Sequence, residues 1–163
     1  MQQLPAIIIA LALLTVANGM PVLTNRVLGR WGAWPIDGGL VFVDGQPLLG
    51  RSKTWRGVIV AVLGTSAAAL ALELPWHVGA LAGAAAMTGD LASSFAKRRM
   101  RLAPSSMAPG VDQVPEAVLP LLACQNALSL TIAEVLVTTA LFWIGVLGLS
   151  RLLYRLGIRE QPY

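Results

Sequence analysis

The sequence predicts an all-α integral membrane protein of about five transmembrane helices, on three observations. The chain is 56% hydrophobic and only 12% charged, with a mean hydropathy of +0.69. That balance belongs to a chain whose solvent is lipid. Five apolar windows lie between the charge clusters, each near the roughly 20 residues a helix needs to cross a hydrocarbon core of about 30 Å. All twelve Lys and Arg fall in two long polar loops, at the helix junctions beside them, or in the C-terminal tail.

The first window runs from about Leu4 to Leu23, without the basic start or small-residue cleavage site of a secretory signal. The second and third, Gly57 to Leu74 and Trp76 to Phe95, form a hairpin across Glu73-Leu74-Pro75-Trp76-His77. The fourth and fifth, Val114 to Leu130 and Ile132 to Tyr154, form another across about Ser129 to Ala133. Residues 24–56 and 96–113 are long, polar and rich in Gly, Pro and Ser. With an odd number of spans every cation lies on one side: N-terminus outside, both long loops and the C-terminus in the cytoplasm. No repeat or second soluble region stands out, so residues 1–163 read as one membrane-embedded domain.

Charge narrows the function. A net charge of +4 and a pI near 10.0 suit a polyanion, but the cations flank hydrophobic helices instead of forming a soluble basic face. A nucleic-acid polymer is therefore a poor partner, and anionic lipid or a phosphorylated small molecule a better one. The lone Cys124 falls inside an apolar window and reads as a packing residue. The lone His77 sits beside Trp76 at the opposite membrane face. A zinc site lacks ligands.

The chemistry-bearing residues concentrate at Gly89-Asp-Leu-Ala-Ser-Ser-Phe-Ala-Lys-Arg-Arg. Helical spacing of four and three to four puts Asp90, Ser94 and Lys97/Arg98 on one stripe. The stretch before Asp90, Gly83 to Gly89, is a small-residue face for close helix packing. An acid at the end of a lipid-crossing helix is costly unless it faces protein, water or an ion, so Asp90 is expected inside the bundle at the cytoplasmic boundary. Cations at 97–99 alone would serve equally as membrane anchors.

Beyond them, Pro104 and Pro109 exclude an ordinary helix, while Ser105, Ser106 and Gly110 offer hydroxyl and bare backbone N–H groups to phosphate oxygens. Asp112 reads both as helix N-cap, with Pro115 in the first turn, and as a metal ligand. Two acids from separate segments with cations and serines between them fit a nucleotide–magnesium site, Asp90 and Asp112 holding Mg²⁺.

The first long loop adds Asp44-Gly-Gln-Pro-Leu-Leu-Gly-Arg-Ser-Lys-Thr-Trp-Arg-Gly. Gly45 to Ser52 nearly spells a P-loop after a possible short strand, Leu40 to Val43. The absence of a βαβ pattern rules against one. Lys53 and Arg56 remain as phosphate candidates, with membrane anchoring as their plainer role. Asn18-Gly-Met-Pro is expected near the cytoplasmic end of the first helix, bringing an amide to the depth of Asp90.

These four segments, Asn18-Gly-Met-Pro-Val, Asp44 to Gly57, Gly89 to Arg99 and Pro104-Ser-Ser-Met-Ala-Pro-Gly-Val-Asp-Gln, resemble the CDP-archaeol synthase family over residues 18 to about 120. The resemblance implies a magnesium-dependent CTP:2,3-di-O-geranylgeranyl-sn-glycero-1-phosphate cytidylyltransferase in the cytoplasmic membrane, with CTP and an isoprenoid glycerol-phosphate lipid as partners. It implies catalytic roles for Asp90, Asp112 and Lys97, and phosphate-facing roles for Ser94, Lys97 and Arg98. Lys53, Thr54 and Arg56 would come from the first loop, and Asn18 and Gln113 would touch the nucleotide. The segment from Gly89 to Asp112 also resembles the CDP-diacylglycerol synthase signature in part. That signature's second Lys-Asp pair and His-Gly-Gly are replaced here by Arg99-Met-Arg and Ala108-Pro-Gly. The alternatives are a synthase acting on another lipid phosphate and a non-catalytic transporter or binding protein for anionic lipid.

Overall fold

The structure, a computed structural model, describes residues 5–102, 108 and 110–155, the last four by backbone alone. Among them are five helices: α1 (Ala6–Leu28), α2 (Trp55–Ala71), α3 (Trp76–Arg99), α4 (Gln113–Ala123) and α5 (Ile132–Arg155). All five expected helices are present, and two, α1 and the Ile132–Arg151 part of α5, are long and apolar enough to cross a membrane.

Helix α3 is the centre of the bundle, packed on α2 along one side and α4 along the other, with α1 across it and α5 against α4 and α1. Its glycines explain how. A Cβ on Gly79 would lie 2.1 Å from the carbonyl oxygen of Thr65, and one on Gly83 would lie 2.9 Å from Val62 Cα, so α2 and α3 touch backbone to backbone with no room for a methyl. On the opposite flank a Cβ on Gly89 would lie 2.3 Å from the Pro115 carbonyl oxygen of α4. The expected small-residue face therefore serves two neighbours. Large apolar residues such as Ile59, Leu63, Leu70 and Ile144 point outward, while Leu13, Leu14, Val78, Leu121 and Val135 fill the core. An apolar exterior around a small-residue interior is the arrangement expected where lipid, not water, surrounds the helices.

Two expectations change. Helix α1 does not end near Leu23 but continues to Leu28, seven residues past Pro21. Helical neighbours tolerate such a proline: Pro21 packs on α2 opposite Gly57. The fourth window is not one long helix. Helix α4 has 11 residues, about 16 Å, and stops at Ala123. The chain then turns through residues 124–129, where Leu128 and Leu130 enter the core. Thr131 and Glu134 start α5 with reciprocal bonds, Thr131 N to Glu134 Oε2 at 2.8 Å and Glu134 N to Thr131 Oγ1 at 3.2 Å.

The first long loop is ordered by short pairings. Residues 34–36 run beside 53–55, with Ile36 N donating to Lys53 O (2.9 Å) and Trp55 N to Trp34 O (3.1 Å). The possible strand at Leu40 to Val43 is one arm of a small hairpin, closed by Phe42 N to Gln46 O at 2.8 Å and turning at Asp44-Gly45, where Gly45 has φ of 77°. After Ser52 the chain passes through Lys53 and Thr54 into α2.

Replacing Gly79 with Ala is expected to lower the melting temperature in detergent, a cost of about 1–3 kcal/mol for overpacking. Gly145, with nothing within 4 Å of its Cβ position, is the control, and Gly145→Ala should leave the midpoint in place. Equal midpoints for both variants would contradict the close α2–α3 contact.

Candidate active site

The polar groups of the chain converge where both long loops meet α3. Lys53, the last loop residue but one before α2, places Nζ 2.6 Å from both Oδ1 and Oδ2 of Asp90. Lys97, two turns further along α3, places Nζ 2.7 Å from Oδ1 of Asp112. Asp112 sits at the start of α4 without capping it. Its Oδ2 instead accepts the Ala108 N–H at 3.0 Å, so the carboxylate faces the loop and the lysine. Gln113 folds its Oε1 onto the Gly110 N–H at 3.0 Å, tightening the same turn.

Helix α3 brings the stripe together as its spacing predicts. Ser94, Lys97 and Arg98 are all buried. Arg98 donates to Leu102 O at 2.8 Å and closes the C-terminal end of α3, and Ser93 Oγ donates to Asp90 O at 3.0 Å. Because Gly89 lets α3 and α4 touch at Pro115 and Glu116, the Glu116 side chain lies against Asp90, with Lys53 and Asp112 close by. Three carboxylates and two lysines thus form one cluster of neighbours, Lys53–Asp90 and Lys97–Asp112 with Glu116 between them. Glu116 was not among the expected site residues, although its place one turn after Asp112 in an apolar segment was the available signal.

Other expected residues are committed elsewhere. Thr54 N-caps α2, its Oγ1 accepting the Gly57 N–H at 3.2 Å. Arg56 closes the C-terminal end of α1, donating to Trp31 O, to Asn25 Oδ1 and, at 3.0 Å, to Gly29 O. Asn18 is half-buried in mid-helix, its Nδ2 donating to Leu14 O at 3.0 Å. The asparagine that lines the hollow beside Lys53 and Asp90 is Asn25, with Ser52, Thr54 and Leu91, around a volume of about 30 Å³. Ser105 and Ser106 lie outside the described residues. Cys124 is buried, with its Sγ 3.6 Å from Val78 O, as a packing residue.

Among the described residues no group of three or more His, Cys, Asp or Glu forms a ready cage for a metal ion. The hard oxygen donors at the recess are Asp90, Glu116 and Asp112.

The family of CarS-like CDP-archaeol synthases matches residues 4–75 and 76–163. The chain belongs to the CDP-archaeol synthase family. Among its relatives, the CDP-archaeol synthase of Hyperthermus butylicus is 39% identical over 120 residues, covering 70% of this chain and 66% of that one. The synthase of Thermofilum pendens is 35% identical over 155 residues (91% and 76%), and that of Thermococcus kodakarensis 33% over 162 residues (90% and 89%). A solved structure of an intramembrane enzyme for archaeal membrane lipids biosynthesis is similar with a TM-score of 0.69 at 28% identity, over 83% of this chain and 89% of that one.

Lys53 reaches Asp90 only if the loop behind it is held, and Asp37 holds it. This buried carboxylate accepts backbone N–H groups from Gly39 (3.0 Å), Leu49 (2.9 Å) and Gly50 (3.1 Å). Burial alone would raise its pKa, but the three donors outweigh burial and hold it below the ordinary 3.8. With the folded pKa below the unfolded one, this stabilisation is complete above pH 3.8 and is lost as the pH falls through the lowered value. Acid titration of the Trp31 and Trp34 fluorescence should therefore show a loop-opening step below pH 3.8 that Asp37→Asn abolishes. An identical step in that variant would remove Asp37 from the account.

Proposed function

We propose that the protein transfers CMP from CTP to the phosphate of an isoprenoid glycerol lipid, 2,3-di-O-geranylgeranyl-sn-glycero-1-phosphate, giving a CDP-lipid and pyrophosphate. The observation that carries this reading is the recess in which Lys53–Asp90 and Lys97–Asp112 bring both loops onto α3, in a chain of the CDP-archaeol synthase family. Residues 1–163 act as one membrane-embedded unit, with the N-terminus outside and both loops and the C-terminus on the cytoplasmic side of the cell membrane.

In this arrangement the site is recessed. Asp90 lies 14 residues after Trp76, about 21 Å along α3, short of the roughly 30 Å hydrocarbon thickness. Soluble CTP enters from the cytoplasm, and the lipid keeps its tails in the bilayer while its phosphate reaches the same depth. An oxygen of the lipid phosphate attacks the α-phosphorus of CTP, a new P–O bond forms, and the bond to the β-phosphate breaks to release pyrophosphate. The lipid phosphate is already ionised at neutral pH, so no side chain has to remove a proton.

The two lysines neutralise anionic oxygens. As phosphate arrives, Lys53 and Lys97 exchange carboxylate contacts for phosphate contacts, and buried Ser94 adds a hydroxyl on the same stripe. The donor set fits Mg²⁺, which binds through one or two carboxylates plus substrate phosphates and waters. Asp90 and Asp112 would hold it, with Glu116 beside Asp90, and it would draw off charge from the triphosphate and the leaving pyrophosphate.

Labelled CTP, Mg²⁺ and a panel of glycerol-phosphate lipids, given to the purified protein, test this reading. A CDP-linked isoprenoid lipid is expected, and Asp90→Asn or Asp112→Asn should reduce turnover by about 10²–10³-fold, the scale of lost preorganised electrostatics. Membrane insertion should be retained. A folded protein that binds the lipids but links none of them to CDP would refute the enzyme reading, and transfer only to diacyl lipids would refute the tail assignment.

A further inference from the structure

Arg99 ends α3 in the company of cations that would suit a membrane anchor, yet its guanidinium does not reach outward. It stacks 4.6 Å from the ring centroid of Phe42 and 4.9 Å from that of Phe95, and the two rings meet edge to face at 5.5 Å. In the same position Nη1 donates to Asp44 Oδ1 at 2.7 Å and Nη2 to Pro47 O at 2.6 Å, with Gln46 O at 3.5 Å. Phe42, Asp44, Gln46 and Pro47 all belong to the hairpin of the first loop, while Phe95 is one turn before Arg99 on α3. A forked planar cation that stacks and donates at once is what a guanidinium supplies and an ammonium does not.

The consequence reaches Lys53. From Pro47 the chain passes directly to Leu49 and Gly50, held by Asp37, and then to Lys53, whose carbonyl accepts the Ile36 N–H. The first loop is therefore strapped to α3 at two points, Lys53 on Asp90 and the hairpin on Arg99, nine residues apart or about 13 Å along the helix. Only the first point lies in the proposed site.

We propose that Arg99 is a positioning residue, a latch that docks the hairpin of the first loop on the end of α3 and so keeps Lys53 aligned over Asp90 before nucleotide arrives. The proposal rests on the nucleotide reading above for its kinetic consequence but not for its structural one. Loosening the latch leaves Lys53 in place for a smaller fraction of time. The apparent affinity for nucleotide falls by that fraction, and saturating nucleotide redocks the loop and restores the rate.

Arg99→Gln and Asp44→Asn, assayed with Mg²⁺ and CTP, are each expected to raise the KM for CTP about tenfold with kcat within twofold of wild type. The double variant should do no worse than the poorer single one, because both remove one contact. Trypsin cleavage after the exposed Arg51 should quicken in both single variants in the absence of nucleotide, a readout that needs no activity. Asp44→Asn lies in the loop and leaves α3 intact, so it separates latch loss from misfolding. Unchanged KM and unchanged cleavage overturn the proposal, as does a fall in kcat at constant KM. Faster cleavage in the variants of a protein whose wild type does not use CTP would uphold the latch and sink the nucleotide reading.

Discussion

Lys53 lies 2.6 Å from each oxygen of Asp90, and most of the architecture around the site exists to make that contact. Both side chains are about four-fifths buried, where an unpaired charge costs several kcal/mol and removal of either partner leaves the other stranded. The partner cannot come from the neighbouring helical turn, because the stripe that carries Asp90 continues into Ser94 and Lys97, and Lys97 is taken by Asp112. The compensating charge must arrive from a loop 37 residues earlier. That requirement explains the labour spent on ordering the loop: the Asp37 cradle, the paired segments at Pro35 and Thr54, and the hairpin held at Arg99.

Close helix packing sets the other half of the site. Gly89 allows α3 and α4 to meet at backbone distance immediately before Asp90, and this contact brings Glu116 up to Asp90 and positions Asp112 beside Lys97. Two of the three acids here are matched by a lysine each, Asp90 by Lys53 and Asp112 by Lys97. In the proposed reaction the phosphates would take the lysines and the divalent cation the carboxylates.

Much of the fold could be read from hydropathy, because window length and the position of Lys and Arg report directly on what lipid tolerates. The four windows for α1, α2, α3 and α5 lie within a few residues of the helices except at the end of α1. Hydropathy failed where packing decides. It did not see that residues 124–129 turn, nor that α1 carries on beyond Leu23 to Leu28. The placement of the candidate residues was legible where they share a helix, as with Asp90, Ser94 and Lys97, and at Lys53. It was not legible where a cation and a helix end meet across the fold. Arg56 and Thr54 look like phosphate ligands by type, yet one closes α1 and the other caps α2. Glu116 and Arg99 act through contacts with distant segments, which residue type and spacing do not encode.

The central claim is that the recess between Lys53–Asp90 and Lys97–Asp112 binds the triphosphate and its cation. A structure of the protein with CTP and Mn²⁺ in place of Mg²⁺ tests it most directly through the anomalous signal of the metal. A peak within coordination distance of Asp90 or Asp112, with Lys53 and Lys97 turned onto phosphate oxygens, is expected. A nucleotide bound elsewhere, with both lysine–carboxylate pairs intact, would contradict it.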